Sequence, residues 1–168
     1  MKRFFLLPIC LFLSILCYSQ EINIRSLKEI DGIQYTRTGE KYTGKILSYD
    51  DNDKVFQEID CKNGKLDGLY KLYFINSGIL FREGKYKNNE LDGVYKEYYE
   101  SGKLKSIENY KNGILQGVTK VYYENGVLRS ETKYKDGSAF SLKTFYEDGR
   151  LRYEGHYNHS IILYEKSY

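Results

Sequence analysis

The sequence predicts an all-β protein: an elongated antiparallel β-meander built from tandem hairpin repeats of about 24 residues, preceded by a signal peptide. Three observations predict it. Related segments recur at a constant step, each carries two turn dipeptides, and the runs between turns have strand composition.

The repeat can be read directly. Residues 86–109 are YKNNELDGVYKEYYESGKLKSIEN and residues 110–133 are YKNGILQGVTKVYYENGVLRSETK. Residues 134–156, YKDGSAFSLKTFYEDGRLRYEGH, and 61–85, CKNGKLDGLYKLYFINSGILFREGK, are further copies. Gly93 to Gly117 and Gly102 to Gly126 are both steps of 24 residues, as are Tyr86 to Tyr110 and Tyr110 to Tyr134. A degenerate copy over 35–60 places Gly44 24 residues before Gly68.

The first turn set is Asn63-Gly64, Asn88-Asn89, Asn112-Gly113 and Asp136-Gly137; the second is Ser77-Gly78, Ser101-Gly102, Asn125-Gly126 and Asp148-Gly149. Such pairs close tight hairpins, because a type I′ turn needs positive φ at both central residues. Gly64, Gly78, Gly102, Gly113, Gly126, Gly137 and Gly149 are therefore expected as structural turn glycines. Between turns, runs of about nine or ten residues are rich in Tyr, Phe, Val, Leu and Ile, and glycine at every junction disfavours helix. Ten or eleven strands at about 4.8 Å each would extend roughly 50 Å. Accumulated twist should curl them into a trough.

Alternation predicts Leu104, Ser106, Glu108 and Tyr110 on one face and Lys105, Ile107 and Asn109 on the other. One repeat later, Leu128, Ser130, Thr132 and Tyr134 oppose Arg129, Glu131 and Lys133. No segment supplies a covering helix layer, so a thin sheet is expected. Gly44, Gly68, Gly93 and Gly117 lie inside strands, where glycine marks a bulge or a close approach. An aromatic ring from the neighbouring strand is expected over each. The copy holding Phe140-Ser141 is one residue shorter and should be distorted.

The domain reading is a signal peptide over 1–19, an N-terminal cap segment over 20–34, an array of about five repeats over 35–157 and a C-terminal cap strand over 158–168. Lys2 and Arg3 precede an apolar stretch from Phe4 to Leu16, with Ser19 before the cut and Gln20 after it. This predicts export, to a periplasm, a cell envelope or the exterior. An uncleaved anchor is the alternative. Lipidation at Cys17 is disfavoured by Leu16 before it. Without the leader Cys61 stands alone, so no intrachain disulfide can form, and a half-buried strand residue is expected there.

The 168 residues carry 26 Lys+Arg against 23 Asp+Glu. Loss of Lys2 and Arg3 leaves 24 against 23, which argues against nucleic-acid binding through a strong positive field. His156 and His159 are three apart, on opposite faces of a strand, with no partner ligands, so no metal is expected. Asp50-Asp51-Asn52-Asp53 lacks the glycine and distal glutamate of a calcium loop and reads as a polar hairpin tip. Glu100, Glu124 and Glu147 recur identically in each unit, whereas an active site is singular; they read as solubilising charges. Neither a catalytic residue nor a cofactor is expected.

The candidate binding feature is aromatic. Tyr73, Tyr98, Tyr122 and Phe145 are equivalent, and Tyr99, Tyr123 and Tyr146 form a second row begun by Phe74. Lys71, Lys96, Lys120 and Lys143 interleave with them. Stacked tyrosines are first the core of a thin sheet, but with Lys96 and Lys120 they also suit a partner-binding face for acidic proteins or an anionic lipid surface. Exposed sheet edges would also allow self-association.

The pattern Y-K-N-G-x-L-x-G followed by Y-Y-E-x-G-x-L resembles the MORN-repeat variant of bacterial proteins, and EIDGIQYTRTGEKYTGKIL over 29–47 resembles that family's opening. The resemblance spans about residues 28–157. It implies an antiparallel hairpin array and either an antitoxin or immunity role, which sits badly with a signal peptide when the toxin acts inside the cell, or a scaffold that binds proteins or membrane lipids. The repeated aromatic surface and the lack of any singular reactive cluster favour a non-enzymatic exported scaffold binding a protein or envelope component, with the antitoxin or immunity protein as the alternative.

Overall fold

Period-two patterning and left-handed turn residues leave the chain few alternatives to paired strands, and a computed structural model, describing residues 21–158 and 161–168, shows them. The strands are β1 Glu21–Asn23, β2 Lys28–Ile30, β3 Ile33–Tyr35, β4 Gly44–Tyr49, β5 Val55–Lys62, β6 Lys65–Tyr73, β7 Leu80–Lys87 and β8 Glu90–Leu91. They continue as β9 Gly93–Tyr98, β10 Leu104–Lys111, β11 Ile114–Leu115, β12 Gly117–Tyr122, β13 Leu128–Lys135, β14 Ser138–Phe145, β15 Leu151–Asn158 and β16 Ile161–Ser167. The leader over 1–19, with Cys17, and also Gln20, His159 and Ser160, lie outside the described residues.

From β4 to β16 the strands follow chain order in one 14-stranded sheet, with β8 and β11 as short pieces pairing β7 and β10. The pairing is antiparallel throughout the array. The expected pure antiparallel order fails at one edge, where β1 lies parallel to β4 with Ile22 opposite Ile46. The chain between them folds as the separate β2–β3 hairpin, which gives it room to cross over.

The two turn sets differ. Asn63, Asn88, Asn112 and Asp136 have φ near 50°, and the Gly or Asn after each is also left-handed, as type I′ requires. In the second set only the glycine is left-handed. Gly102 N–H donates to Tyr99 O and Tyr99 N–H to Lys103 O, with the same pattern at Tyr123–Val127 and Tyr146–Arg150. These are three-residue loops closed by a glycine bulge, so Ser101, Asn125 and Asp148 need no left-handed conformation. Asp50 closes the same loop with its carboxylate, accepting from the backbone of Asn52 and Lys54 at 2.8 and 2.9 Å.

Each repeat carries two irregularities, and both change the expected faces. The first falls after the loop glycine. Ser106 opposes Glu97 while Leu104 opposes Tyr98, so Lys105 is an extra residue. Leu104 therefore sits with Tyr98, not with Ser106 as simple alternation predicts. Leu128 shifts in the same way to Tyr122, and Leu151 to Phe145.

The second irregularity is at the strand glycines. Asn89 to Lys96 contains Asp92-Gly93 as an insertion, because Tyr86 pairs Leu91 while Glu83 pairs Lys96. Gly68 and Gly117 sit at matching places after Asp67 and Gln116. The expected ring is absent from these glycines. A side chain at Gly93 or Gly117 would meet nothing within 4 Å, and at Gly68 it would meet Asp60. The ring lies instead over Gly84, where Tyr95 Cδ2 would stand 2.7 Å from an added Cβ. The shorter copy, expected to be distorted, is the more regular one. It drops the glycine, bulges by Phe140 alone, and β14 runs unbroken from Ser138 to Phe145.

Neighbouring repeats are knitted at both edges. Along the type I′ edge, the residue before each strand glycine bonds the next turn. Thr43, Asp67, Asp92 and Gln116 accept from the backbone N–H of Asn63, Asn88, Asn112 and Asp136 at 2.8–3.4 Å. Along the opposite edge, Tyr99 donates its hydroxyl to Tyr122 O at 2.7 Å, Tyr123 to Phe145 O at 2.9 Å and Tyr146 to Tyr168 O at 3.3 Å. Lys105, Arg129 and Arg152, the extra bulge residues, lie over these same rings at 5.9, 5.8 and 5.7 Å. Removing the hydroxyls in Tyr99→Phe/Tyr123→Phe should lower stability by about 2 kcal/mol in urea titration, about 1 kcal/mol per bond, while leaving the ring contacts in place.

The core is small and sits at the N-terminal end. Tyr42, Ile46, Ile59 and Cys61 are buried, with Ile22, Leu27, Leu66, Tyr70 and Tyr86 against them. Cys61, expected to be half-buried, is only 4% exposed, and its thiol donates to Tyr42 O. From this cluster outward, the edge-on pairs Tyr70–Tyr86 and Tyr95–Tyr110, at 5.7 and 6.1 Å, line the same face.

Candidate functional site

The face opposite those tyrosine pairs carries a continuous cross-strand row. In register it runs Glu58, Lys71, Glu83, Lys96, Ile107, Lys120, Glu131, Lys143, Glu154, Lys166. Opposite charges sit directly across from one another, the arrangement that stabilises a sheet face. Lys96 reaches Glu83 at 3.1 Å, Lys143 reaches Glu154 at 3.0 Å and Lys120 reaches Glu131 at 3.8 Å. Each such pair, half-exposed, is worth about 0.2–1 kcal/mol.

One step further along each strand stand Tyr73, Tyr98, Tyr122 and Phe145. Tyr73 donates to Glu58 at 2.9 Å and Tyr98 to Glu83 at 2.7 Å. Burial and the Glu58 carboxylate push Tyr73 up to about 12, and burial with Glu83 raises Tyr98. The same hydroxyl of Tyr98 holds Glu83 below the ordinary glutamate range, against the opposing effect of burial, with Lys96 assisting.

The row breaks once. Where Glu83, Glu131 and Glu154 stand in other repeats, β10 places Ile107, between Lys96 and Lys120. Tyr122 therefore has no carboxylate corresponding to the one that receives Tyr98. Beside the break on the same face lies a shallow groove of about 210 Å³, whose lining includes Leu69, Lys71, Lys85, Val94 and Lys96. Leu69 and Val94 are each 48% exposed.

The structure thus places Lys96 and Lys120 on either side of Ile107, with Tyr98 and Tyr122 two residues further along the same two strands. Tyr73, Phe145, Lys71 and Lys143 lie on the same face further out. Tyr99, Tyr123 and Tyr146 are placed elsewhere, their hydroxyls bonded to the next repeat along the sheet edge. Glu100, Glu124 and Glu147 are exposed at the loops. His156 is exposed beside Glu154 at 3.5 Å.

Sequence reasoning placed Ile107 and Glu131 on the charged face but did not single out Ile107 or the glutamates of the row as site residues. The signal was present, since Glu83, Ile107 and Glu131 follow one another at 24-residue steps and only the middle one is apolar.

The charged row also fixes how stability responds to pH. Glu83 prefers its ionised form in the fold, so its contribution is present above the unfolded carboxylate range and falls as pH drops through that range. Tyr73 and Tyr98 prefer their protonated forms, so theirs is full below pH 10 and is lost upward, for Tyr73 between 10.0 and about 12. Melting temperature should decline over that alkaline window, and Tyr73→Phe should flatten the decline.

Fold and site together define a β-hairpin repeat protein whose distinctive feature is a strip of one sheet face. Residues 91–112, 115–136 and 141–159 match the family described as MORN repeat variant. The structural repeat extends upstream of these segments, since the Asn63-Gly64 turn and the Gly68 bulge have the same form. No curated protein matches the chain.

Proposed function

We propose that this protein is a non-enzymatic, exported repeat scaffold that holds a protein or envelope component against its ladder face. The single observation that carries the reading is the strip around Ile107. Lys96 and Lys120 flank an apolar residue in register, with Tyr98 and Tyr122 two residues along the same strands, at the place where Glu83 and Glu131 stand in the neighbouring repeats. Half-buried tyrosines are enriched at interaction hot spots. Export rests on the leader-like residues Lys2 to Ser19.

Affinity capture from envelope extract tests it, comparing wild type with Tyr98→Ala/Tyr122→Ala. A component retained by wild type and lost from the double variant, with both proteins folded by circular dichroism, supports the reading. Identical captures, or no retained component, contradict it.

A further inference from the structure

We propose that the break in the charged row is a binding slot for an acidic segment of a partner protein, one of whose carboxylates takes the place between Lys96 and Lys120 that a glutamate fills in other repeats. This inference rests on the scaffold reading and names the partner's chemistry.

The repeat supplies its own standard for what belongs at this position. Glu83 and Glu131, one repeat to either side, each stand between two lysines in register. Glu83 also receives the Tyr98 hydroxyl. Each of these glutamates holds one of its two lysines within 4 Å, Lys96 for Glu83 and Lys120 for Glu131. A glutamate at 107 would stand between Lys96 and Lys120, beside Tyr122, in the same way. Ile107 forgoes those interactions. It leaves two lysines with one neutral neighbour between them, and each is held only from its outer side, by Glu83 or by Glu131. A fold that departs from its own stabilising pattern at one internal unit is expected to do so where function requires it. The charge left over is positive, so the complementary group is an anion. A carboxylate over Ile107 would be within reach of both ammonium groups and of the Tyr122 hydroxyl.

The groove between Leu69 and Val94 adjoins the slot through Lys96 and gives an apolar side chain of the same segment a seat. An anion with an apolar neighbour one or two residues away describes an acidic peptide better than a bare phosphate.

The test uses the purified full chain and a fluorescein-labelled octaglutamate peptide, read by anisotropy at low salt. Wild type should bind saturably, and Ile107→Glu should weaken binding at least tenfold while melting no lower than wild type. Ser138→Glu adds the same charge near the Asp136-Gly137 turn and should change affinity less than twofold. Equal weakening by both substitutions, or no saturable binding to wild type, overturns the proposal. So does binding of phosphatidylserine-containing vesicles in preference to the peptide when Ile107→Glu abolishes it. In each of these cases the Tyr98/Tyr122 capture experiment still decides the scaffold reading on its own.

Discussion

Gly64→Ala is expected to lower stability by about 3 kcal/mol, which in a chain of this size moves the melting temperature by roughly 6–12 °C. Two effects combine. Gly64 has φ of 80°, a conformation an L side chain adopts at a cost of about 1 kcal/mol. An added Cβ would also stand 2.5 Å from Ile33 Cγ2 and 2.9 Å from the backbone oxygen of Gln34. Backbone cannot swing aside as a flexible side chain can, so the β2–β3 hairpin would have to lift. Lifting breaks the bond from Gln34 N–H to Gly64 O at 2.7 Å and strains that from Gly64 N–H to Tyr42 O. Gly126→Ala is the internal comparison. Its φ is 88°, but nothing lies within 4 Å of the added atom, so only the conformational cost of about 1 kcal/mol applies. Thermal melting of the two variants checks both values. Equal losses would mean that the hairpin does not dock on this turn.

Ile46→Ala is expected to cost about 3 kcal/mol by urea unfolding, the usual range for emptying a buried aliphatic site being 2–5 kcal/mol. Ile46 is 2% exposed, opposite Ile22 and Ile59 and within the cluster of Tyr42 and Cys61. The same truncation at Leu142, half-buried in the array, should cost about 1 kcal/mol, because its pocket is open and less apolar area leaves water. The contrast locates the hydrophobic core at one end. Elsewhere, stability comes from hydrogen bonds and paired charges spread along the sheet.

The sequence made the hairpin array legible because its punctuation is chemical. Asn63-Gly64 and Asn112-Gly113 can hardly be anything but left-handed turns. Alternation failed at Leu104 because period-two reasoning cannot see an inserted residue, and Lys105 is that residue. The bulge expected at Gly93 is there, but the ring expected over it is not, because positive φ rather than a close-packed ring selects glycine at that place. Tyr99 and Tyr123 read as a second aromatic row beside Tyr98 and Tyr122, and only the structure shows them just past the strand ends with their hydroxyls spent on the next repeat. The parallel pairing of β1 with β4 left no mark in composition, since three residues carry too little pattern to fix a direction. The charged row was readable only after the register was known, because its members are 11 to 13 residues apart in the chain.

Native-state hydrogen exchange tests the central claim most directly, namely that the repeats hold one another in a single layer and so leave a face open for binding. Amides paired between β9 and β10, β12 and β13, and β13 and β14 should exchange at least about a hundredfold more slowly than unstructured peptide, recurring with the 24-residue step even though the side chains around them are half-exposed. Protection confined to the cluster from Tyr42 to Cys61, with β9 through β14 exchanging freely, would contradict it.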